Sequence, residues 1–325
     1  MALAAALRRP LLVVGRVGID FFTEPGEAIE DARGVRVDMG GSAANIAAGF
    51  VRLGGAAALV TCTSDDSIGS ACERMLDRYG VDRAHVRRVG GEHRNSLAVY
   101  ESRVENHRNV IYRNGAADLA MTRADVDAVD LARFGALVTA GTVFAAEPSR
   151  DAAFHAFDRA REAGLPILFD IDYRPYSWPS ARVAQEVLAR AGEAADMIVG
   201  NDEEFGFMAG GLERGLAHAR GLAAAGRTAI YKRGERGAVT FHEGQETRTG
   251  IFPTEALKPT GAGDSFMAAL LAALRDGHAM PEAVLRGSAA AAIVVARPGC
   301  APAMPTRAEL GAFLRDRPGP LDPEE

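Results

Sequence analysis

The sequence predicts an α/β fold, with a doubly wound, mostly parallel sheet flanked by helices and a small β-sheet lid beside it. Three observations support this prediction. Short apolar runs such as 11–14 and 197–199 alternate with helix-length segments, as buried parallel strands do. A turn of small residues, 261–263, precedes a helical apolar stripe. Residues 95–114 partly alternate apolar and polar side chains, which is typical of strands with one exposed face.

Each predicted strand is a short apolar run, and turn residues mark its end. In chain order the strands are predicted at 11–14, 57–61, 136–139, 166–169, 197–199 and 228–232, followed by a strand pair at 238–242 and 246–251. Helices are predicted from Gly40-Gly41 to about Leu53, up to about Tyr79, over 147–163 and 180–194, and as two alanine-rich helices after Asp264.

The domain boundaries follow from where this alternation begins and ends. We place one α/β domain over residues 10–315, with a lid insert contributed by about 20–40 and 95–115. Residues 1–9 and 316–325 are predicted to be terminal extensions, the second of them frayed.

Composition limits the partners that we expect. The chain has 325 residues, 48% of them apolar, and a formal net charge of −6. This acidic balance disfavours nucleic acid as a partner. No uninterrupted apolar run is long enough to span a bilayer, so we expect no membrane partner. The three cysteines form an odd set without a CxxC pair, which predicts a cytoplasmic location rather than a disulfide framework or a zinc site.

The turn from Gly261 to Asp264 is the first candidate site. Glycines before a helix let a ligand approach the backbone, and the amides and partial positive charge of a helix start attract phosphate. A carboxylate repels phosphate, so Asp264 needs another reason to be there. It is either a base that takes a proton from an attacking hydroxyl or the N-cap of the helix, and the turn alone favours neither.

Two further polar groups stand near the start of the chain. Asp20 follows the first strand, where ligands gather in open α/β sheets, although a turn aspartate is the simpler explanation. Gly40 and Gly41 open a helix of small residues that contains Asn45. The amide of Asn45 is either a hydrogen-bonded core group or a contact for substrate hydroxyls.

An ordered set of short motifs extends over most of the chain. It consists of Gly40-Gly41 with Asn45, Asn201 with Glu204, Lys232 with Gly234 and Gly237, and the turn from Gly261 to Asp264. In this order the set resembles the ribokinase-like sugar kinases, or PfkB family, from about residue 11 to about 315. The resemblance implies the doubly wound fold, a β-sheet lid over the sugar, and transfer of the γ-phosphate of ATP to a sugar hydroxyl with Mg²⁺.

The resemblance also implies catalytic roles. Asp264 would be the base, while Gly261, Ala262 and Gly263 would offer amides to the transferring phosphate. Asn201 and Glu204 would organise Mg²⁺, mainly through water. The alternative for this pair is a helix cap with a first-turn acid, which suits Glu203 better than Glu204.

Binding roles follow in the same way. The ATP contacts would be Asn201, Lys232, Gly234 and Gly237, with Ser288 and Ala292 on a later helix beside the adenine, although the alanines there equally suit plain helix packing. The sugar hydroxyls would be held by Asp20, Gly40, Gly41 and Asn45.

A narrower resemblance concerns the substrate. Segments 112–119 and 169–178, with Gly299-Cys300 and Met304-Pro305, look like the branch of this family that phosphorylates the C6 hydroxyl of 5-dehydro-2-deoxygluconate in bacterial myo-inositol breakdown. That substrate is a sugar acid, and its carboxylate needs cationic donors. Arg113 and Arg174 are the candidates, with Tyr112 beside them. For Arg174 the alternative is a salt bridge to Asp170 or Asp172.

Lys258 departs from the wider family. Many ribokinase-like kinases carry an aspartate at this position, three residues before the first glycine of the turn, where it helps to hold a monovalent cation. An ammonium group repels potassium, so we predict no potassium requirement. Lys258 either places its own charge where the ion would lie or points to solvent.

Other functions stay open at this point. A 2-keto-3-deoxygluconate kinase, a fructokinase or a nucleoside kinase would share the fold, and a non-catalytic sensor would keep the fold without the base. Arg113 and Arg174 favour an acid substrate, and Asp264 and Glu204 favour catalysis. The predicted partners are therefore a small-molecule sugar acid and ATP, with a homodimer through the lid as a further option.

Overall fold

The computed structural model describes residues 2–102, 108–317 and 319–321. Two parts of the sequence-based predictions lie outside the described residues. They are 103–107 of the predicted lid insert, and 318 and 322–325 of the predicted frayed tail. The strands are β1 (Leu11–Val14), β2 (Gly18–Phe22), β3 (Arg36–Gly40), β4 (Ala57–Ser64), β5 (Asp82–Val89), β6 (Leu97–Tyr100), β7 (Asn109–Tyr112), β8 (Ala136–Ala140), β9 (Ile167–Asp170), β10 (Met197–Asn201), β11 (Thr228–Lys232), β12 (Ala238–His242) and β13 (Gln245–Thr249).

The α-helices fill the connections between the strands. They are α1 (Ala2–Leu7), α2 (Ser42–Arg52), α3 (Ser67–Tyr79), α4 (Arg123–Asp127), α5 (Ser149–Glu162), α6 (Ala181–Ala194), α7 (Asp202–Met208), α8 (Gly215–Ala224), α9 (Ala262–Arg275), α10 (Met280–Val295) and α11 (Arg307–Asp316). None of the helices in the described part of the chain is both long and apolar enough to cross a membrane.

The larger sheet has nine strands in the order β13-β12-β11-β10-β9-β8-β1-β4-β5. The strands from β11 to β5 pair in parallel, and β12 and β13 extend the sheet antiparallel. Central strands such as β1, β4 and β8 are buried along their whole length because helices cover both faces of the sheet. Two large apolar clusters form the cores on the two sides. The prediction of a mostly parallel sheet flanked by helices is confirmed.

The strand order reverses around β1, which lies between β4 and β8. Ligands bind in open α/β sheets outside the carboxyl ends of strands at such a reversal. The segment that follows β1 contains Gly15 and Arg16 and leads directly into β2 of the smaller sheet. The junction of the two sheets is therefore the place where the topology predicts a site.

The smaller sheet has four strands in the order β3-β2-β6-β7, so a smaller separate sheet is present, as predicted. Its two faces differ because side chains alternate along each strand. The inner face carries Asp20 and Ile111, and Ile111 packs against a small apolar cluster with Cys300. The outer face carries Val37 and Val110, which are 48% and 44% exposed.

Several elements, among them α7, α8 and α11, were not predicted from the sequence, and two further differences, at β5 and α1, have a clear physical reason. β5 was not predicted, because its residues are mostly charged and no apolar run marks it. Such a polar strand is suited to the edge of a sheet, where β5 lies. Residues 1–9 contain α1, whose Leu7 is fully buried in the core that includes α9, so this extension is partly packed against the domain.

Candidate active site

The turn before α9 is shaped by Gly261. This residue is the N-cap of α9 and has φ of 85°, a left-handed conformation that glycine adopts without strain. A side-chain carbon on Gly261 would lie 3.2 Å from the Sγ atom of Cys300. The backbone amides of Ala262 and Gly263 belong to the first turn of α9, so they lack intrahelical acceptors.

Asp264 is the third residue of α9 and does not cap it, so the N-cap alternative is wrong. Its half-buried carboxylate accepts a hydrogen bond of 2.8 Å from Nδ2 of Asn45 on α2. Burial and the neighbouring carboxylate of Asp172 raise the pKa of Asp264 to about 8, and Asp170 adds to the effect. The interaction with Asn45 opposes the shift by favouring the ionised form. The arrangement leaves a proton acceptor at the helix start with no salt-bridge partner within the described chain.

Asp170 and Asp172 follow β9 and bring two more buried carboxylates to this region. Burial raises the pKa of Asp170 to about 7, and Lys232 opposes the shift. Asp172 has φ of 36°, and its carboxylate accepts a hydrogen bond from the hydroxyl of Ser42 and pairs with the guanidinium of Arg174 at 2.7 Å. The salt bridge that the sequence analysis gave as the alternative for Arg174 is therefore present in this structure. The side chain of Arg174 is half exposed and lies at the surface of the site.

Asp20 and the two glycines before α2 fit closely together. A side-chain carbon on Gly40 would lie only 1.9 Å from Oδ1 of Asp20, so only glycine fits beside this carboxylate. Gly41 has φ of 98° and comes close to the backbone carbonyl of Arg16. Burial raises the pKa of Asp20 to about 6, and Arg16 opposes that shift. Oδ1 of Asp20 and Oδ1 of Asn45 are buried without a hydrogen-bond partner in the described structure.

Arg113 is 6% exposed and pairs with Asp118. Its Nε and Nη1 atoms are buried and find no acceptor among the residues that the structure describes. Tyr112 lies on the outer face of the smaller sheet and is 62% exposed, because alternate residues of β7 point to opposite faces. The prediction that Tyr112 contacts the substrate is thus not supported within a single chain.

The nucleotide candidates line the neighbouring strand ends. Asn201 and Glu204 form a reciprocal capping box at the start of α7, with both hydrogen bonds at 2.8 Å. The helix cap that the sequence offered as an alternative is therefore present. The acid that forms it is Glu204, so the preference for Glu203 in the sequence analysis was wrong. Glu204 also accepts a hydrogen bond from the backbone amide of Tyr173. No cluster of three metal-ligating side chains exists in the described residues, so a metal here would need water and phosphate oxygens as further ligands.

Lys232 ends β11, and its Nζ would lie 3.6 Å from a side-chain carbon on Gly263. The structure thus brings Lys232 to the turn of α9. Gly234 has open space around it, whereas a side chain on Gly237 would collide with the carbonyl of Thr249. Gly237 is thus required by strand packing.

The two candidates on α10 differ in burial. Ser288 is half-buried and Ala292 is 7% exposed, and no contact in the described structure assigns either of them a ligand.

Lys258 is fully buried, so the alternative in which it points to solvent is wrong. Its ammonium group donates to the carbonyl of Thr260 at 2.6 Å and to the carbonyl of Val294 at 3.3 Å. Burial lowers the pKa of Lys258, while nearby acidic groups, including Asp20 and Asp264, oppose the shift. The side chain places a cation beside the turn of α9.

Sequence reasoning missed several residues of this region, namely Arg16, Ser96, Asp118 and the pair of Ser42 with Asp172. Arg16 is 5% exposed, and its Nε donates to Oγ of Ser96 at 2.6 Å. A charged residue directly after a buried strand is a signal that was available for Arg16. The others depend on which loops the fold brings together.

Comparisons with known proteins identify the family of this chain. The model of the "pfkB family carbohydrate kinase" matches residues 9–307. The 5-dehydro-2-deoxygluconokinase of Photobacterium profundum is 35% identical over 95% of this chain and 96% of its own, and that of Bacillus thuringiensis is 33% identical over 94% of each.

Solved structures show the same fold. A PfkB protein from Polaromonas sp. aligns with a TM-score of 0.81 and 26% identity over 94% of this chain and 99% of its own. A fructokinase from Xylella fastidiosa with bound ATP aligns with a TM-score of 0.84 and 19% identity over 95% of this chain and 99% of its own. The match to the family model over most of the chain, together with these relatives, means that the chain belongs to the pfkB family of carbohydrate kinases.

Proposed function

We propose that this protein is an ATP-dependent kinase that phosphorylates the C6 hydroxyl of 5-dehydro-2-deoxygluconate. The names of its relatives at 33–35% identity support the substrate. The observation that carries the chemistry is the position of Asp264, which is held by Asn45 at the anion-binding start of α9. A carboxylate at that position can act as the general base, and the start of the helix can bind a phosphate group.

The reaction uses groups that lie around this turn. The C6 hydroxyl oxygen attacks the γ-phosphorus of ATP, its proton passes to Asp264, and the bond from the γ-phosphorus to the β,γ-bridging oxygen breaks. Free amides of Ala262 and Gly263 stabilise the charge on the transferring group, where positioning and electrostatics do most of the work. Lys232 adds positive charge on the nucleotide side of Gly263.

The charged residues suit a magnesium nucleotide. Asp170 and Glu204 are 4% and 7% exposed, and their charges act on each other, so they offer oxygen atoms and negative charge beside Lys232. We assign the Mg²⁺ contacts to Asn201 and Glu204, mainly through water, because the capping box already uses both side chains. Mg²⁺ would neutralise the phosphate charges. Gly234, with open space around it, and Ser288 and Ala292 would border the nucleotide.

The sugar acid would lie between α2 and the smaller sheet, which acts as a lid. In the part of the chain that the structure describes, Asp20 and Asn45 have acceptor oxygens without partners, which suits sugar hydroxyls. Arg113 has donor atoms without acceptors among the same residues, and Arg174 stands at the rim, which suits a carboxylate.

We further propose that the enzyme does not require potassium. The ammonium of Lys258 binds two backbone carbonyls beside the catalytic turn, as a monovalent cation would. A second cation in the same place would meet strong repulsion.

A homodimer through the lid completes the proposal. Val37, Phe21, Val99 and Val110 occupy one row across the four strands on the outer face of the smaller sheet. The two end residues of the row are close to half exposed, and a second copy would bury them. Sedimentation of the wild type and of Val110→Glu at matched concentrations checks this: we expect a dimer for the first and a monomer for the second, and a monomeric wild type contradicts the proposal.

The function is tested by ADP formation across a panel of substrates. The panel contains 5-dehydro-2-deoxygluconate, 2-keto-3-deoxygluconate, gluconate, fructose and a nucleoside, with Mg²⁺ and ATP. We expect the highest kcat/KM for 5-dehydro-2-deoxygluconate. A higher value for a neutral sugar or a nucleoside, or no turnover of any compound, contradicts the proposed function.

A further inference from the structure

Arg16 is a buried cation that the proposed reaction has not used. It is the second residue after β1, at the point where the strand order of the large sheet reverses and the chain crosses to the smaller sheet. The residue is 5% exposed. Its Nε donates to Oγ of Ser96, which is fully buried, so the plane of the guanidinium is fixed from the side of the smaller sheet. This is the position outside a strand end where α/β proteins bind ligands.

The Nη2 atom of Arg16 has no hydrogen-bond partner within residues 2–102, 108–317 and 319–321, although it is buried. Arg16 also forms no ion pair within 4.0 Å with any residue that the structure describes, even though Asp20, Asp118 and Asp172 are near enough to stabilise its charge. Asp118 and Asp172 already pair with Arg113 and Arg174. A buried charged donor without an acceptor lowers the stability of the folded protein, and such donors are rare in native structures. An open donor of this kind therefore indicates a site for a ligand.

Arg16 is not the only open donor in this place. Nε and Nη1 of Arg113 are also buried without acceptors in the part of the chain that the structure describes. The charges of Arg174, Arg16 and Arg113 all act on Tyr176, which is half exposed, and the charge of Asp172 opposes them, so the three guanidiniums lie in the same region of the fold. Arg16 and Arg113 both keep buried donors open in this region among the described residues, which suits an anion.

We propose that Arg16 contacts the substrate directly, and that its Nη2 donates a hydrogen bond to the carboxylate of the bound sugar acid while Arg113 binds the same group from the lid side. Ser96 is a positioning residue in this arrangement, because it orients the guanidinium through Nε without facing the substrate. The inference rests on the proposed function for the class of substrate. It goes further by assigning the carboxylate to a buried residue in the connection between β1 and β2, which joins the two sheets.

A purely structural role makes a different prediction. If Arg16 served only to connect the first strand to Ser96, its loss would weaken the binding of every sugar to a similar degree. A direct contact with the carboxylate affects the acid and spares a neutral analogue. The distinction therefore lies in the ratio of two affinities for one variant.

The experiment is calorimetric titration of the full-length protein, with a non-hydrolysable ATP analogue and Mg²⁺ present. The probes are 5-dehydro-2-deoxygluconate and its counterpart with the carboxylate reduced to an alcohol. For Arg16→Met we expect the acid to bind about 10- to 100-fold more weakly, the range for a hydrogen bond to a charged group, with little change for the alcohol. Arg16→Lys keeps the charge but not the fork of donors, so it is expected to fall between wild type and Arg16→Met.

Arg275→Met is the matched control. Arg275 is 7% exposed and donates to the backbone carbonyl of Leu53, and its Nη1 also has no hydrogen-bond partner among the described residues, but it lies at the opposite end of α9 from Asp264. We expect it to bind both probes like the wild type. An equal loss of acid and alcohol in Arg16→Met, or unchanged affinity for the acid, overturns the proposal. If Arg16→Met does not fold, Arg16→Lys and Ser96→Ala decide it, since both must weaken the acid more than the alcohol.

The two proposals fail separately. An acid that the wild type binds but does not phosphorylate contradicts the proposed function, while the affinity ratio still tests Arg16. An acid that is phosphorylated and that binds equally well to Arg16→Met contradicts the role of Arg16 alone. A wild type that binds the alcohol but not the acid contradicts both.

Discussion

The two ends of the site differ in how far their polar groups are already paired. At the phosphate end, Asp264 holds Asn45, Lys258 holds two carbonyls, and Glu204 holds the start of α7. At the sugar end, Arg16 and Arg113 have buried donors without acceptors in the described structure. The first end is organised before any ligand arrives, whereas the second is complete only with a ligand.

This difference indicates which step each end controls. Groups fixed in advance lower the barrier to phosphate transfer without reorganisation. Groups left open gain most when a ligand with matching groups fills them. Substitutions at the phosphate end should therefore change turnover, and substitutions at the sugar end should change affinity and selectivity.

The largest effect is expected at Asp264. Asp264→Asn keeps the size of the side chain and an acceptor for Asn45 but removes the base. We expect kcat to fall about 10²–10⁴-fold, with ATP and sugar binding retained in titrations. Asp276→Asn, at the far end of the same helix, is the control and should turn over normally. A near-normal kcat for Asp264→Asn would end the assignment of Asp264 as base.

Arg174 tests the sugar end at its rim. Arg174→Ala removes the guanidinium that now pairs with Asp172. Its KM for the acid is expected to rise about tenfold, as for one lost charged hydrogen bond, with a smaller change for the neutral alcohol analogue. Arg182→Ala removes a more exposed arginine of α6 and should change neither. Equal losses for both substrates would assign Arg174 a structural role.

Lys258 tests whether the phosphate end is complete without an added ion. In a buffer free of sodium and potassium, the rate of the wild type should not rise when potassium is added. Lys258→Asp exchanges the ammonium for a carboxylate, so it should lose activity and recover part of it with potassium. Several-fold activation of the wild type by potassium contradicts the prediction.

The smallest effect concerns stability. The pKa of Asp264 is about 8 in the folded protein and about 4 in an unfolded chain. The folded state therefore holds this proton more tightly, and the stabilising contribution is complete below about pH 4 and is lost as pH rises through about 8. The side chain of the Asp264→Asn variant does not titrate, so this variant does not lose that stability as the pH rises. Its melting temperature should exceed that of the ligand-free wild type by a few degrees at pH 9 and by less at pH 5. A difference that shrinks with rising pH contradicts the shift.

The sequence predicted the phosphate end better than the sugar end, for a physical reason. The turn at Gly261 and the strand before Asn201 have local signals, because glycine and apolar runs act on their own neighbourhood. The contact of Arg16 with Ser96 and the pairing of Ser42 with Asp172 depend on loops that only the fold brings together. The preference for Glu203 as the capping acid failed because Glu204, at the third helical position, can reach back to the amide of Asn201.

The ammonium of Lys258 is a cation that cannot diffuse away. A free ion fills its site according to its concentration, whereas a side chain lying between two carbonyls has no such dependence. The charge beside the turn is thus encoded in the chain and does not depend on the salt content of the medium. Only loss of its proton can remove it, and burial, which lowers the pKa of Lys258, brings that event closer to neutral pH. The protonation of this one side chain, rather than the concentration of an ion, then decides whether the charge is present.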